Sequence, residues 1–340
     1  MIDLRSDTVT APTPGMRAVM AAAEVGDDVY AEDPSVRALE ERTAELLGHE
    51  AGLFCVSGSL SNLLGVRALV APGQEVLCDA DAHIARAEMG AHGALSGLTM
   101  RTWASRRGVA DLSAIEAMLA PDAGPYLVST AAVALENTHN FGGGTIQPLD
   151  HLRAVHDMCR GHGIRLHLDG ARLWNAHVAT GVTLADYGRL FDTVSVCFSK
   201  GLGAPVGSML LASAEVISEA RVWRKRLGAG WRQAGILAAA AAYALEHQVD
   251  RLAEDHLAAR ELASAIAERA PLAVDPASVE TNIVVIDTGS TPAAGVAEQA
   301  RAAGVAVSAL GPRMVRAVTH LDVTVAESRR AGEVLGDLLA

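Results

Sequence analysis

Lys200 closes an apolar run, Thr193-Val194-Ser195-Val196-Cys197-Phe198, and leads straight into Gly201-Leu202-Gly203-Ala204-Pro205-Val206-Gly207. A lysine is ordinarily a solvated surface charge. At the buried end of a strand, desolvation lowers its pKa and leaves an amine nucleophilic enough for a Schiff base. Asp169 ends a second run, Ile164-Arg165-Leu166-His167-Leu168. A buried carboxylate needs a cationic partner. Arg172 is one candidate, and a protonated pyridine nitrogen is the other. A Schiff-base lysine with an acidic residue facing a pyridinium is the recurrent pairing of pyridoxal phosphate chemistry. At an effective dielectric near 20, an ion pair at about 4 Å gains roughly 4 kcal/mol, enough to keep such a ring protonated at neutral pH. Ser57-Gly58-Ser59-Leu60-Ser61-Asn62 lies between a strand and a helix, where free amides and the helix dipole favour an anion such as a phosphate. A Gly/Ser turn is equally a common helix cap, and its weight comes from Lys200 and Asp169.

Other constellations carry less. Asp81-x-His83 and His167-x-Asp169 offer the ligand types of a catalytic metal, but that reading leaves Lys200 and the Gly/Ser turn without a role, and no metal set is assigned. Cys55, Cys78, Cys159 and Cys197 form no C-x-x-C pair and read as reduced structural thiols. His49, His92, His151, His156, His162, His177 and His247 read as surface or helix-face residues. Trp103, Trp174, Trp223 and Trp231 read as packing groups. The charge run Arg221 to Arg226 reads as a solvated helix face.

These residues need elements to position them. Short apolar runs at Leu53–Val56, Glu75–Cys78, Ala131–Leu135, Ile164–Leu168 and Thr193–Phe198 alternate with helical patterns, beginning with a helix from Asn62 to Val70. That alternation predicts a mostly parallel sheet covered by helices. Polar groups gather at the strands' C-terminal ends: Gly58/Ser59, Asp81/His83, Glu136/His139, Asp169/Arg172 and Ser199/Lys200. Ligands of open α/β sheets bind outside the carboxyl ends of their strands, so five ends converge on one site. Ala234 to Leu245 reads as a buried alanine-rich helix. Beyond about residue 246 the texture changes to a charge-laced helix (Glu246 to Arg269), strands at Asn282–Ile286, Gly304–Ser308 and Met314–Thr319, and a closing helix from about Ala326. The expected division is a large α/β domain over 1–245, with an N-terminal arm of about 1–15, and a smaller α+β domain over 246–340.

The 340 residues carry 28 Lys+Arg against 40 Asp+Glu, a net charge of −12. Nucleic-acid binding through phosphate neutralisation needs a basic surplus, so that class is excluded. No apolar signal core or run of about 20 apolar residues is present, which predicts a cytoplasmic protein with no membrane partner.

Several motifs together resemble the low-specificity L-threonine aldolases, enzymes that use pyridoxal 5′-phosphate on the aspartate-aminotransferase fold (fold type I). They are Leu4-Arg5-Ser6-Asp7-Thr8-Val9-Thr10, Val25-Gly26-Asp27-Asp28-Val29-Tyr30, Leu135-Glu136-Asn137-Thr138-His139-Asn140, His167-Leu168-Asp169-Gly170-Ala171-Arg172 and the run from Ser199 to Ser208. The likeness continues through Trp223-Arg224-Lys225, Arg232 to Leu237 and Val315 to Asp322, and so spans nearly the whole chain. It implies Lys200 as the Schiff-base lysine, Asp169 as the pyridinium partner and Arg172 as donor to the phenolic oxygen. Gly58, Ser59 and Ser199 would hold the cofactor, with His83 stacked on its ring. Ser6, Arg172 and Arg316 would bind the substrate amino acid, Arg316 as a bidentate fork on its carboxylate. Lys225 and Arg232 would approach the site across a subunit boundary of a homotetramer. The implied reaction cleaves L-threonine, L-allo-threonine and related β-hydroxy-α-amino acids to glycine and an aldehyde, with His83 the first candidate base and His139 the second. Another fold-type-I lyase or aminotransferase is the alternative. Where many members carry a histidine that contacts the β-hydroxyl, this chain has Tyr126. Ala85 and Ala87 replace aromatic groups of some relatives, which predicts tolerance of bulkier β-substituents such as phenyl.

Overall fold

A computed structural model covers residues 1–340. Its strands are β1 (Ile2–Asp3), β2 (Ala51–Cys55), β3 (Glu75–Asp79), β4 (Thr99–Trp103), β5 (Thr130–Glu136), β6 (Arg165–Gly170), β7 (Thr193–Cys197), β8 (Ser208–Ala212), β9 (Ile283–Asp287), β10 (Val305–Ala306), β11 (Ser308–Gly311) and β12 (Met314–Val318). Seven of them form the central sheet in the order β2-β8-β7-β6-β5-β3-β4. Only β8 runs against its neighbours, so the sheet is mostly parallel, as the alternating pattern predicts. Successive side chains of a strand point to opposite faces, and here both faces are apolar. Leu77, Val133 and Leu135 join one core, whereas Val76, Cys78, Ala132 and Ala134 join another. Strands covered on both faces read as continuous apolar runs, which is why they were legible in the sequence.

Two strands of this sheet were not. β8 is Ser-Met-Leu-Leu-Ala, with no β-branched residue to mark it as a strand. β4 is an edge strand with exposed and half-buried positions along most of its length. The helix expected from Asn62 also starts earlier than its apolar pattern does. It spans Gly58–Leu69, because the Ser57 hydroxyl caps it by accepting from the Leu60 amide at 3.2 Å. Gly58 and Ser59 therefore occupy its first turn.

A second core is built on the three-stranded antiparallel sheet β11-β12-β9 and the helices Leu252–Ala267, Ala293–Ala302 and Val325–Leu339. The chain's first residues belong to it. β1 pairs in parallel with β10 (Ile2 opposite Val305), and Leu4 is buried in this core. The arm thus leaves the second core, crosses to the end of β7, where the Thr10 hydroxyl donates to the Lys200 carbonyl at 3.1 Å, and enters the first.

The Gly58–Leu69 helix lies close against the sheet at Gly65. A Cβ there would stand 2.9 Å from the His167 ring and 3.0 Å from Leu210. His167 cannot give way, since Thr193 and Asn62 hold both of its ring nitrogens. In an open helix interior Gly→Ala gains about 1 kcal/mol; overpacking costs about 1–3 kcal/mol. Gly65→Ala is therefore expected to destabilise the fold, read as a lower urea midpoint at unchanged slope. A midpoint equal to or above the parent's would show that the helix can back away.

Candidate active site

The carboxyl ends of β3, β5, β6 and β7 and the start of the Gly58–Leu69 helix meet at one cleft, and the second core closes it through Arg316 of β12. Asp169, at the end of β6, is 4 % exposed. It accepts from the Asn62 amide at 2.8 Å and the Ala171 backbone amide at 3.1 Å, and no cation touches it. Arg172 is not its partner, contrary to the simplest expectation. Asp7 of the arm takes that guanidinium with two 2.7 Å bonds to Nε and Nη2. Burial raises Asp7, but the charge and bonds of Arg172 outweigh it and hold the carboxyl at about 2. Asp7 therefore stays ionised across the working pH range.

Arg316 has no carboxylate at all. Its Nη1 donates to the Asn140 carbonyl oxygen at 2.6 Å and its Nη2 to the Arg5 carbonyl at 3.4 Å, while its buried Nε has no partner. Burial and the neighbouring Arg172 cation push its pKa down to about 10. Asn140 also accepts from Arg172 at 3.3 Å and so ties the two guanidiniums together. Ser6 lies next to Asp7 and accepts from the Thr8 amide and hydroxyl, which leaves its own proton free.

His83 follows β3. Its backbone amide is held by Glu136 at 2.7 Å and its Nδ1 by Glu88 at 2.9 Å. Its Nε2 makes no bond to the protein. Burial disfavours the cation, but the bond from Glu88 and the charges of Asp169 and Glu88 raise its pKa above the usual value. Burial, with the Asp169 charge beside it, raises Glu136 in turn.

His139 is a different case, and the structure argues against it as a base. Its Nδ1 accepts from the Gly142 amide at 3.0 Å and its Nε2 faces Asp79 at 3.5 Å, with the ring 1 % exposed. Nδ1 is spent on the backbone, and Nε2, which has no hydrogen-bond partner, is enclosed against a carboxylate, so neither nitrogen is open to a substrate. Tyr126 is 94 % exposed on the connection entering β5 at its N-terminal end, whereas the cleft lies at the C-terminal ends. Lys225 and Arg232 are exposed as well, Arg232 lying 3.5 Å from Asp27. None of these three joins the cleft within one chain.

Three further residues were missed in the sequence. Asn62 donates to both Asp169 and Glu88 and accepts from His167 at 3.1 Å. Glu88 binds His83, Asn62 and, at 3.0 Å, His92, which lies on a buried helix face rather than at the surface. The spacing His-x4-Glu-x3-His from His83 to His92 was the available signal. His83, Glu88 and Asp169 bring ligand atoms within 4.8 Å of one another, a metal-like spacing. Glu88 already accepts from His83, His92 and Asn62, and Asp169 accepts from Asn62 and the Ala171 amide. Asp81 is exposed, and His167 is driven by burial to about 4 with both nitrogens engaged, so the metal set considered from sequence does not assemble.

The residues present fit pyridoxal 5′-phosphate. The amides of Gly58 and Ser59 and the Ser59 hydroxyl bond to no protein group, and they point from a helix N-terminus that favours an anion. Gly58 is packed too tightly for a side chain, since a Cβ would lie 2.9 Å from Cys197 Sγ. Half-buried Lys200 and Ser199 stand at the end of β7 beside it. Asp169 is a buried anion lacking a cation.

Comparison with known proteins agrees. The beta-eliminating lyase family pattern matches residues 3–289. The chain is 40 % identical over 329 residues to the probable low-specificity L-threonine aldolase 2 of Arabidopsis thaliana, covering 95 % of this chain and 93 % of that one. It is 39 % identical over 325 residues to the low specificity L-threonine aldolase of Escherichia coli K12, covering 95 % of each. The fold matches the Leishmania major threonine aldolase structure with a TM-score of 0.85 over the whole of both chains, at 23 % identity. With its cleft, its sequence and its fold all in agreement, the chain belongs to the beta-eliminating lyase family, alongside the low-specificity L-threonine aldolases.

Proposed function

We propose that the cleft cleaves L-threonine, L-allo-threonine and related L-β-hydroxy-α-amino acids to glycine and an aldehyde, using pyridoxal 5′-phosphate. The observation that carries this reading is Arg316, a largely buried guanidinium without a carboxylate, set in the same cleft as Lys200 and the cation-free Asp169. An amino acid brings the missing anion. The names of the Arabidopsis and Escherichia coli relatives supply the reaction class.

Bound in the cleft, pyridoxal 5′-phosphate supplies an acceptor for the electron pair released at the substrate's α-carbon. The chain does the rest. Gly58 and Ser59 bind the phosphate, Lys200 anchors the cofactor through its amine, and Ser199 flanks it. Asp169 holds the proton on the ring nitrogen. Arg172, fixed by Asp7, donates to the phenolic oxygen. Arg316 and Ser6 grip the substrate carboxylate and thereby set the orientation of the Cα–Cβ bond. His83 accepts the β-hydroxyl proton at Nε2, and the O–H electron pair becomes the carbonyl bond of the departing aldehyde as Cα–Cβ breaks. The exposed Lys225 and Arg232 serve a neighbouring subunit's site in a homotetramer. Four buried free thiols suit a reducing, cytoplasmic setting.

The chain has only two lysines, Lys200 and Lys225, so borohydride trapping followed by one digest identifies the anchor. Lys200→Ala is expected to lose all trappable cofactor and at least about 10³-fold in kcat; label retained on Lys225 would show that the wrong amine was chosen. Arg316→Ala removes a charge-assisted bond worth about 1.5–3 kcal/mol, so KM for L-threonine should rise roughly 10–100-fold. Acetaldehyde and glycine assayed together should form in equal amounts, and an unchanged KM would remove Arg316 from the carboxylate site.

A further inference from the structure

Four histidines lie around the cleft, and one carboxylate decides what two of them can do. Glu88 is buried between the short helix His83–Arg86 and the helix Ala91–Ser96, with its side chain fully enclosed. One oxygen accepts from His83 Nδ1 and from the Asn62 amide, both at 2.9 Å; the other accepts from His92 Nε2 at 3.0 Å. A carboxylate only accepts, so each of these partners must be a donor. His83 is therefore protonated at Nδ1, and when the ring is neutral its lone pair sits on Nε2, the nitrogen that bonds to nothing in the protein.

We infer that Glu88 is the positioning residue of this site: it fixes the tautomer and orientation of His83 so that Nε2 receives the substrate's proton. This rests on the reading of His83 as the base. The arrangement repeats the logic of an acid–histidine pair, in which the carboxylate orients the ring and supports its cation without itself being protonated. Burial alone would raise Glu88, but its bonds from His83, His92 and Asn62 pull it down to about 2, so it stays ionised wherever the enzyme works. The other charges facing His83 are Asp169 from β6 and Lys200 after β7, which act in opposite directions, and Glu136 from β5 on its backbone amide. His92 faces Glu88 from the next helix.

Glu88→Gln keeps the shape and removes the charge. The His83 titration, followed by nitrogen NMR of protein labelled in its histidine rings and assigned by its loss in His83→Asn, should move to lower pH in both the cofactor-free protein and the holoenzyme. Neutral His83 is the working form, so activity fails as pH falls through its pKa. In Glu88→Gln the acid limb of kcat/KM should move down with the NMR titration, and plateau kcat should fall on the order of tenfold as the base weakens, with KM nearly unchanged. His92→Leu removes a competing donor, leaves Glu88 more basic and should move both curves to higher pH, which keeps the test alive if the Gln variant does not fold. An unmoved His83 titration would make Glu88 a purely structural residue and overturn the inference. A moved titration with an unmoved acid limb would instead show that His83 is not the base, the failure of the underlying reading, which His83→Asn with an intact limb would show independently.

Discussion

The site depends on one buried anion being denied a cation. Asp169 ends a strand enclosed on both faces, and the residue best placed in sequence to neutralise it, Arg172, is taken by Asp7 of the N-terminal arm. What remains to Asp169 is the Asn62 amide and one backbone N–H. Neutral donors satisfy hydrogen bonding without supplying charge, so the carboxylate keeps a field that a bound cation would feel at short range and low dielectric. The same economy repeats around it. Arg316 is a cation without an anion, held only by the neutral oxygens of Asn140 and Arg5. The cleft thus holds Asp169 without a cation and Arg316 without an anion; a protonated ring nitrogen would meet the first and the substrate's carboxylate the second.

That design requires the two cores to be held in register, because Asp169 belongs to one and Arg316 to the other. Asp7 performs this coupling. It lies just beyond Leu4, which is packed in the second core, and it clamps Arg172 of the first while accepting from Asn282 next to β9 at 3.2 Å. Asn140 adds a second tie by bonding Arg172 and Arg316 with one oxygen. Breaking a buried pair of this kind costs far more than its formation contributes, since the abandoned charge remains buried. The arm is therefore part of the site's framework rather than a loose tail, although its first strand pairs with β10 and not with the sheet whose end it caps.

Much of this was legible because the sheet is buried on both sides, so its strands stand out as apolar runs and their polar ends stand out against them. Lys200, Asp169 and the Gly58-Ser59 turn were found from that contrast alone. β8 escaped because leucine and methionine do not declare a strand, and the helix start escaped because Gly and Ser hide a first turn. The Asp7–Arg172 pair joins positions 165 residues apart, a partnership no local pattern encodes. The roles of Glu88 and Asn62 were hard to read for a related reason. Their importance lies in which lone pairs they occupy, and that is a property of the packed arrangement.

The histidines show how packing sorts chemically identical side chains. His167 donates to Asn62 and accepts from Thr193, and burial keeps it neutral. His139 gives Nδ1 to a backbone amide and turns Nε2 to Asp79. His92 donates to Glu88 from a fully enclosed ring. Each is bonded or enclosed before any ligand arrives: His139 Nε2 and His92 Nδ1 have no hydrogen-bond partner but are buried. His83 alone combines one committed nitrogen, which fixes its tautomer, with one uncommitted nitrogen on a partly exposed ring. Proton transfer needs that combination: a fully bonded histidine has no lone pair to offer, and a fully free one has no reason to point it at the substrate.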